Sequence, residues 1–513
     1  MMAQKAEEKA GKIHDIRTMF QPTLPKPHTT QNEFEVLCLR AMVASNWPFS
    51  QFEVPEFQSL LNGGYDLHVP SAKVIKARLA KYADEAREEI KVRLTNNESR
   101  ISLALDCWTS PNRLEFMGIC PQSLVVRILI VAITSHYVDN NFVLQEDLLD
   151  FSEVDMRHSG INLADHIHKV LIQYEICRKL FCITTDNASN NDTTCEELSD
   201  LLYDSHQINW DPKEHHIACL AHVINLAVQS FLKNIKVTQM TEAERFILPS
   251  AAPAQLSVVP ARSSKQGRRS VVANLGKAIE AEPINDFGST IKKLRKISVA
   301  INFPRSRTRD FWMFCKAKDL KQMKAVHDND TRWNGTCCMI ERAIYLQEAI
   351  KPWVQSRSEL KEFALSDREW ELAEFLLRFL EPFRHATNSI QATGRPTLHQ
   401  TFVTYEKLFN NLENVKAIFE RMEAIPEWFE EVQNAINSMW AKLNEHYTKT
   451  KNPSAYVDAN ILHPAKKMSL FKKKDSSFGD VPGQAEIYKS QARMRFETIY
   501  NTPMTKSVDE SNS

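Results

Sequence analysis

Two short stretches carry the residues best suited to chemistry. ISLALDCWTS (101–110) and LFCITTDNASNND (180–192) each run apolar and then turn polar at an aspartate, Asp106 and Asp186. A carboxylate at the end of a buried strand is held rigidly and opens toward the sheet edge. Two of them side by side repel, and a divalent cation relieves the repulsion. Mg²⁺ prefers oxygen ligands and keeps positions open for phosphate. Two such ions can activate an attacking oxygen and steady a leaving one in phosphodiester chemistry. The plainer reading is that Asp after a strand starts a turn, its side chain accepting from nearby backbone N–H groups. Pattern alone leaves both readings open.

The elements that must position this pair can be read from periodicity. Ile101, Leu103 and Leu105 alternate with smaller residues. In the second stretch Phe181 and Ile183 share one face, with Cys182, Thr184 and Asp186 on the other. Brevity and β-branching predict strands. Between them Leu163, Ile167, Val170, Leu171 and Tyr174 have helical spacing. Strand, helix, strand predicts an α/β layer. CEELSDLLYD (195–204) and HIACLAHVINLAVQSFLKNI (216–235) read as helices, the second with Leu220, Val223, Ile224, Ala227 and Phe231 on one face. Asp192 and Glu196 read as acids at a helix N-terminus.

The rest of the chain falls into blocks. Residues 1–32 are charged and Pro-bearing, predicting a disordered N-terminus. Residues 33–97 read as helical, with Phe34, Leu37, Cys38 and Met42 on one face and Ser71 as an N-cap. The α/β pattern occupies 98–236. Residues 237–289 are rich in Pro, Ala and Ser without a period, predicting a disordered linker. Residues 290–474 are helical again. There Leu372, Phe375, Leu376, Phe379 and Leu380 form one face, and Pro382 is expected to stop the helix. Pro426 stands near the start of a helix carrying Trp428, Val432, Ile436, Met439, Trp440, Leu443 and Tyr447. Residues 475–513 form a polar tail.

Composition narrows the class. A chain of 513 residues predicts two to four domains. Sixty-four Lys and Arg balance sixty-four Asp and Glu, so net charge gives no whole-chain pull toward nucleic acid, although a basic groove can exist locally. Ten cysteines without paired spacings, and no signal peptide, predict an intracellular, reduced protein. LVVRILIVAI (124–133) is too short to span a bilayer and contains Arg127, so no membrane partner is expected.

Several blocks in a fixed order carry a resemblance. They are NWPFSQFEVPEFQSLL, VPSAKVIKARL, LALDCWTSPN, HSGINLADHI, ITTDNASNND, CLAHVINLAVQ, DTRWNGTCCMIERAI, LEPFRHATNSIQATGRPTLHQTF and AYVDANILHPAKKMSLF. Together they resemble the hAT superfamily of DNA transposases, from about Thr30 to Tyr500. The resemblance implies an α/β plus α fold: an RNase H-like α/β core, with N-terminal helices and a large all-α insertion. It implies that Asp106 and Asp186 are the first and second catalytic acids and hold Mg²⁺ or Mn²⁺. Cys219 and His222 match the family's Cys-x-x-His pair near the scissile DNA. Trp333, preceded by Arg332, matches an aromatic associated with hairpin formation at the break. The implied partner is DNA at transposon ends, the implied reaction is strand cleavage and transfer, and the implied location is the nucleus.

Each carried position also has a plainer reading. Cys219 and His222 lie one helical turn apart, but two ligands do not make a zinc site, which typically needs four. Trp333 is either core or exposed, and its polar Asp-Thr-Arg-Trp-Asn setting favours exposure.

Three departures from the family pattern shape the functional expectation. Cys38 is the single cysteine before Cys107, so no BED-type zinc finger can be assembled there. CPQSLVVRILIVAI (120–133) reads as an addition, since EFMGI would otherwise join TSHYVD; inside a sheet it should bulge out or disturb register. The family's C-terminal Ser-x-x-x-Glu-Arg-x-Phe-Ser motif, which supplies the third acid and lies in the dimerisation region, has no match. The leading expectation is a truncated transposase-derived protein with an incomplete core, inactive alone, because such acids act as a unit. One alternative is an active transposase whose third acid comes from Glu341 or a partner chain in a homo-oligomer. The other is a domesticated nucleic-acid-binding or protein-interaction scaffold.

Overall fold

The computed structural model describes residues 30–62, 67–109, 129–154, 159–187, 190–237, 286–328, 333–391, 394–421, 428–450, 453–472 and 484–501. The N-terminal 1–29 and nearly all of the expected linker lie outside the described residues. The chain divides into two compact units, Met1–Asn96 and Asn97–Ser513.

The first unit is helical. Helix α1 (Gln31–Ser45) opens on a capping box. The Glu33 amide donates to Thr30 Oγ1 at 3.3 Å, and the Thr30 amide donates to Glu33 Oε2 at 2.8 Å. Phe34, Cys38 and Met42, spaced four apart, bury with Leu39 against Phe52 and Ile75. Leu37 is left half exposed; Leu39 takes the inward position instead. Helices α2 (Pro55–Asn62) and α3 (Ala72–Asn96) complete the unit, and Ser71 Oγ accepts from the Val74 amide at 3.4 Å.

The second unit is built on a five-stranded sheet in the order β3-β2-β1-β4-β5. Strands β1 (Ile101–Thr109), β2 (Leu129–Val138) and β3 (Leu144–Val154) form an antiparallel meander. Helix α4 (Ser159–Gln173) then crosses to β4 (Leu180–Thr185), which runs parallel to β1. Helix α5 (Asn190–His206) leads to β5 (His216–Ala218), parallel to β4. Leu163, Ile167, Val170, Leu171 and Tyr174 of α4 are all buried, as their spacing predicts.

Two strand readings are corrected. His216–Ala218 is not the start of a helix but an edge strand, with Ile217 buried and paired to Thr184; three residues are too few to show a period in the sequence. Residues 120–128 lie outside the described residues, but Leu129–Ile133 do not bulge out of the sheet. They fill β2, pairing Thr109↔Leu129 through Leu105↔Ile133 without interruption. Alternating burial of Val131 and Ile133 fits them to the pleat. A register irregularity against β3 does fall between Ile133 and Thr134, where the expected junction lies.

Helix α6 (Leu220–Asn234) follows β5 and buries Val223, Ile224, Ala227, Val228 and Phe231 in the core of an all-α layer. That layer comprises α7 (Phe287–Asn302), α8 (Arg305–Ala317), α9 (Asn334–Tyr345), α10 (Gln347–Gln355), α11 (Asp367–Ile390), α12 (Thr401–Glu420), α13 (Phe429–Lys449), α14 (Ala455–Leu462) and α15 (Gln484–Asn501). Phe231 stacks on Phe379 with ring centroids 4.4 Å apart, and α6 packs on both α11 and α13. Cys182 of β4 and Ile217 of β5 pack in a separate apolar cluster with Phe402, Ala455, Tyr456 and Val457.

Helix α7 starts before residue 290 because Asp286 caps it, accepting from the Ser289 amide at 2.6 Å. Gly288 in its first turn permits a close approach: a Cβ there would lie 2.6 Å from the Lys236 carbonyl oxygen. Gly288→Ala is expected to destabilise the second unit by about 1–3 kcal/mol through overpacking, read by thermal denaturation. Pro382 does not stop α11, which runs on to Ile390. A proline inside a helix costs about 3 kcal/mol. Burial of Phe383 and Thr387 beyond it offsets that cost, and Thr387 Oγ1 donates to the Phe383 carbonyl at 2.9 Å.

Candidate functional site

Parallel pairing of β1 with β4 sets the position of the two aspartates. Ala104 pairs with Thr184, so two residues further along each chain Asp106 stands beside Asp186, on the same face. Asp106 is exposed and Asp186 half-buried. Buried Asn191, in the first turn of α5, holds Asp186: its Nδ2 donates to Oδ1 at 2.6 Å and to the backbone carbonyl at 2.8 Å. Thr185 Oγ1 also donates to that carbonyl at 2.8 Å and lies 2.7 Å from His216 Nε2. Asp186 is thus fixed by groups that β4, β5 and the start of α5 bring together.

Two thiols flank the pair. Burial, then the charges of Asp186 and Asp106, push the Cys107 thiol up to about 11. Burial also pushes Cys219 up; the amides of His222 and Ala221 oppose this, and Asp106 and Asp186 add to it. Cys219 sits at the N-cap of α6, its amide bonded to the Thr185 carbonyl at 2.9 Å. The electrostatic reach of both carboxylates to both thiols places Asp106, Asp186, Cys107 and Cys219 in one neighbourhood. The two carboxylates offer the oxygen ligands that a hard divalent cation takes.

Beyond Asp186 a cleft of about 520 Å³ opens between the sheet end and the helical layer. Asp192, Glu196, Lys213 and His216 line it from the core, and Lys442, Glu445, His446 and Lys449 line it from α13. Asp192 lies 3.5 Å from His216 Nδ1 and 3.8 Å from Lys449 Nζ. His222 and His446 interact electrostatically across the gap between α6 and α13.

The other expected positions fall elsewhere. Trp333 is not exposed: it is 3% accessible and belongs to the core of the helical layer with Cys337 and Ile340. Asp330 and Thr331 of its polar setting lie outside the described residues. Arg295 and Thr336 hold Asp328 just upstream, at 2.6 and 2.9 Å. Arg332 lies outside the described residues. Glu341 on α9 is engaged by Arg384 at 2.7 Å, which holds its carboxyl below the usual range. Among the described residues no third His, Cys, Asp or Glu completes a three-ligand cluster with Asp106 and Asp186.

Sequence reasoning missed Asn191 and the α13 face. Asn191 was open to discovery, five residues past Asp186 on a helix start. His446 was not, because only the tertiary fold brings α13 over the sheet end.

Comparison with known proteins agrees with this architecture. The family model described as the ZBED1 RNase-like domain matches residues 125–213, and the ZBED1 RNase-like helical domain matches 217–379. The chain is 26% identical over 468 residues to the putative transcriptional regulator tpeD of Talaromyces stipitatus, covering 89% of this chain and 47% of that protein. It is 22% identical over 440 residues to the putative AC transposase of Zea mays, covering 84% and 44%. It thus spans less than half the length of these relatives. The Drosophila P element transposase strand transfer complex aligns over 98% of this chain and 99% of its own, at 11% identity and a TM-score of 0.26, too low to carry an argument. These likenesses support a transposase-derived protein of the hAT type, with an RNase H-like sheet joined to a large helical layer.

Proposed function

We propose that this chain binds DNA and a divalent cation as the two-carboxylate part of a hAT-type strand-transfer site, in the nucleus. The observation that carries the reading is the register of β1 and β4, which supports a position for Asp106 near Asp186, a residue of the cleft lining. Asp106 and Asp186 would hold Mg²⁺ or Mn²⁺, which supplies charge stabilisation to phosphate oxygens. Asn191 keeps the Asp186 carboxylate oriented. Lys213, Lys442 and Lys449 line the cleft together with Asp186, Asp192, Glu196 and Glu445, so a phosphate backbone there would depend on the bound cation for its attraction. With no third carboxylate clustered at the pair among the described residues, the chain by itself is expected to bind rather than cleave. Similarity to a protein named as a putative transcriptional regulator fits a role other than strand cleavage.

The test compares the wild-type chain with Asp106→Ala/Asp186→Ala, reading Mn²⁺ binding and nicking of supercoiled plasmid. Wild type should bind about one Mn²⁺ that the double variant loses, and neither protein should nick above background. Nicking lost in the variant would reveal a working site, with its third acid supplied from elsewhere. A wild-type chain that binds no Mn²⁺ would remove the two-carboxylate site.

A further inference from the structure

At the opposite end of β4 lies a cluster that the transposase reading does not use. His168 lies on α4, Cys177 in the turn before β4, and His206 is the last residue of α5. One ligand atom from each lies within 4.8 Å of the other two. His168 is 6% exposed, Cys177 8%, and His206 half-buried. The imidazoles meet edge to face, with centroids 5.4 Å apart and planes at 72°. Nε2 of His168 and Nε2 of His206 are both buried and have no hydrogen-bond partner among the described residues. Two adjacent buried ring nitrogens without partners are unusual in a folded core, where buried polar atoms are satisfied.

We infer that His168, Cys177 and His206 form a binding site for a single Zn²⁺-type cation. Two imidazoles and a thiolate are the ligands such a borderline-soft ion takes, whereas Mg²⁺ and Ca²⁺ require oxygen. Tetrahedral Zn²⁺, with bonds of ~2.0–2.3 Å, sets its ligand atoms ~3.3–3.8 Å apart. Modest side-chain rotation therefore closes the cluster on the ion. Three protein ligands leave a fourth position, at the half-exposed His206 edge, for water. Binding converts the Cys177 thiol to thiolate and releases its proton to solvent.

The site is separate from the aspartates. Cys177 precedes β4 and Asp186 follows it, and six strand residues span about 20 Å. Arg178 Nη2 already ties this turn to the His206 carbonyl at 3.1 Å. A metal there would staple α4 and the β4 turn to the far end of α5, the helix whose first turn holds Asn191 against Asp186.

The experiment is a Co²⁺ titration of the full chain after chelator treatment, followed by Zn²⁺ competition. Wild type should bind about one Co²⁺ with thiolate charge-transfer and tetrahedral d–d absorption, both displaced by Zn²⁺. Cys177→Ala and His206→Gln should each lose the charge-transfer band or weaken binding at least tenfold. His206 is half-buried at a helix end, so His206→Gln keeps the test open if Cys177→Ala fails to fold. Zn²⁺ should raise the Tm of the wild type and leave that of His206→Gln unchanged. Absence of the band in wild type overturns the site. So does a band that survives at unchanged affinity in a folded His206→Gln chain or one that disappears instead in Cys219→Ala.

Discussion

Replacing Asp328 by alanine should cost the second unit about 3–5 kcal/mol, the range for removing one partner of a buried ion pair. The side chains of Arg295 and Asp328 are 7% and 2% accessible. Asp328 Oδ2 accepts from Arg295 Nε at 2.7 Å and lies 2.6 Å from Nη2, a two-pronged contact that a guanidinium makes well. Its Oδ1 accepts from Thr336 Oγ1 at 2.9 Å. Alanine removes the Asp328 carboxylate from the buried Arg295 guanidinium. Asp328→Leu combined with Arg295→Met should recover most of the loss, because an apolar pair of similar volume often matches a buried ion pair. Urea denaturation of the two single variants and the double variant measures this. Additive losses would show that the two side chains act independently and would defeat the account.

The same residues show what a sequence reveals and what it hides. Asp106 and Asp186 were legible because alternation marks the strands beside them, a local pattern; Asp186 does follow the end of β4, but Asp106 lies within β1, which runs on to Thr109. The buried face of α4 was legible for the same reason. Trp333 was misread because Asp330, Thr331, Arg332 and Asn334 look like a solvated turn. Whether a polar residue faces water or a buried Arg295 depends on α7, which lies far away in sequence. Pro382 was misread because the local cost of proline was visible, while the burial of Phe383 that offsets it was not. Leu129–Ile133 looked like an intrusion, yet their alternation suits β2, and the strain shows only in the register against β3. His446 gave no signal at all, since its meaning comes from α13 lying over the sheet end.

His446→Leu should stabilise the chain by about 1–2 kcal/mol at pH 7.5, the cost of a buried polar group left without a partner. His446 is 4% exposed, and neither ring nitrogen has a hydrogen-bond partner among the described residues. Burial pushes its pKa down; Glu445 opposes this, and Lys442, Lys449 and His222 add to it. The sign of the pH dependence follows. An unfolded histidine titrates near 6.5, and the folded one below that value, so the unfolded chain takes up a proton first as pH falls. Stability contributed above pH ~6.5 is therefore lost as pH drops through the folded pKa. The advantage of His446→Leu should widen from pH 7 to pH 5, by no more than ~1.4 kcal/mol per pH unit, the limit for one proton. His215 and His216 are also pushed down by burial and remain in the variant, so acid sensitivity is reduced rather than abolished. Paired stability curves at pH 7.5 and 5.5 decide the matter. If His446→Leu is less stable at both, the ring has a packing role that outweighs its polarity. If it is more stable but retains DNA poorly, the unpaired ring is kept for the cleft it shares with Asp186, where sites for ligands commonly break the rules that stabilise a core.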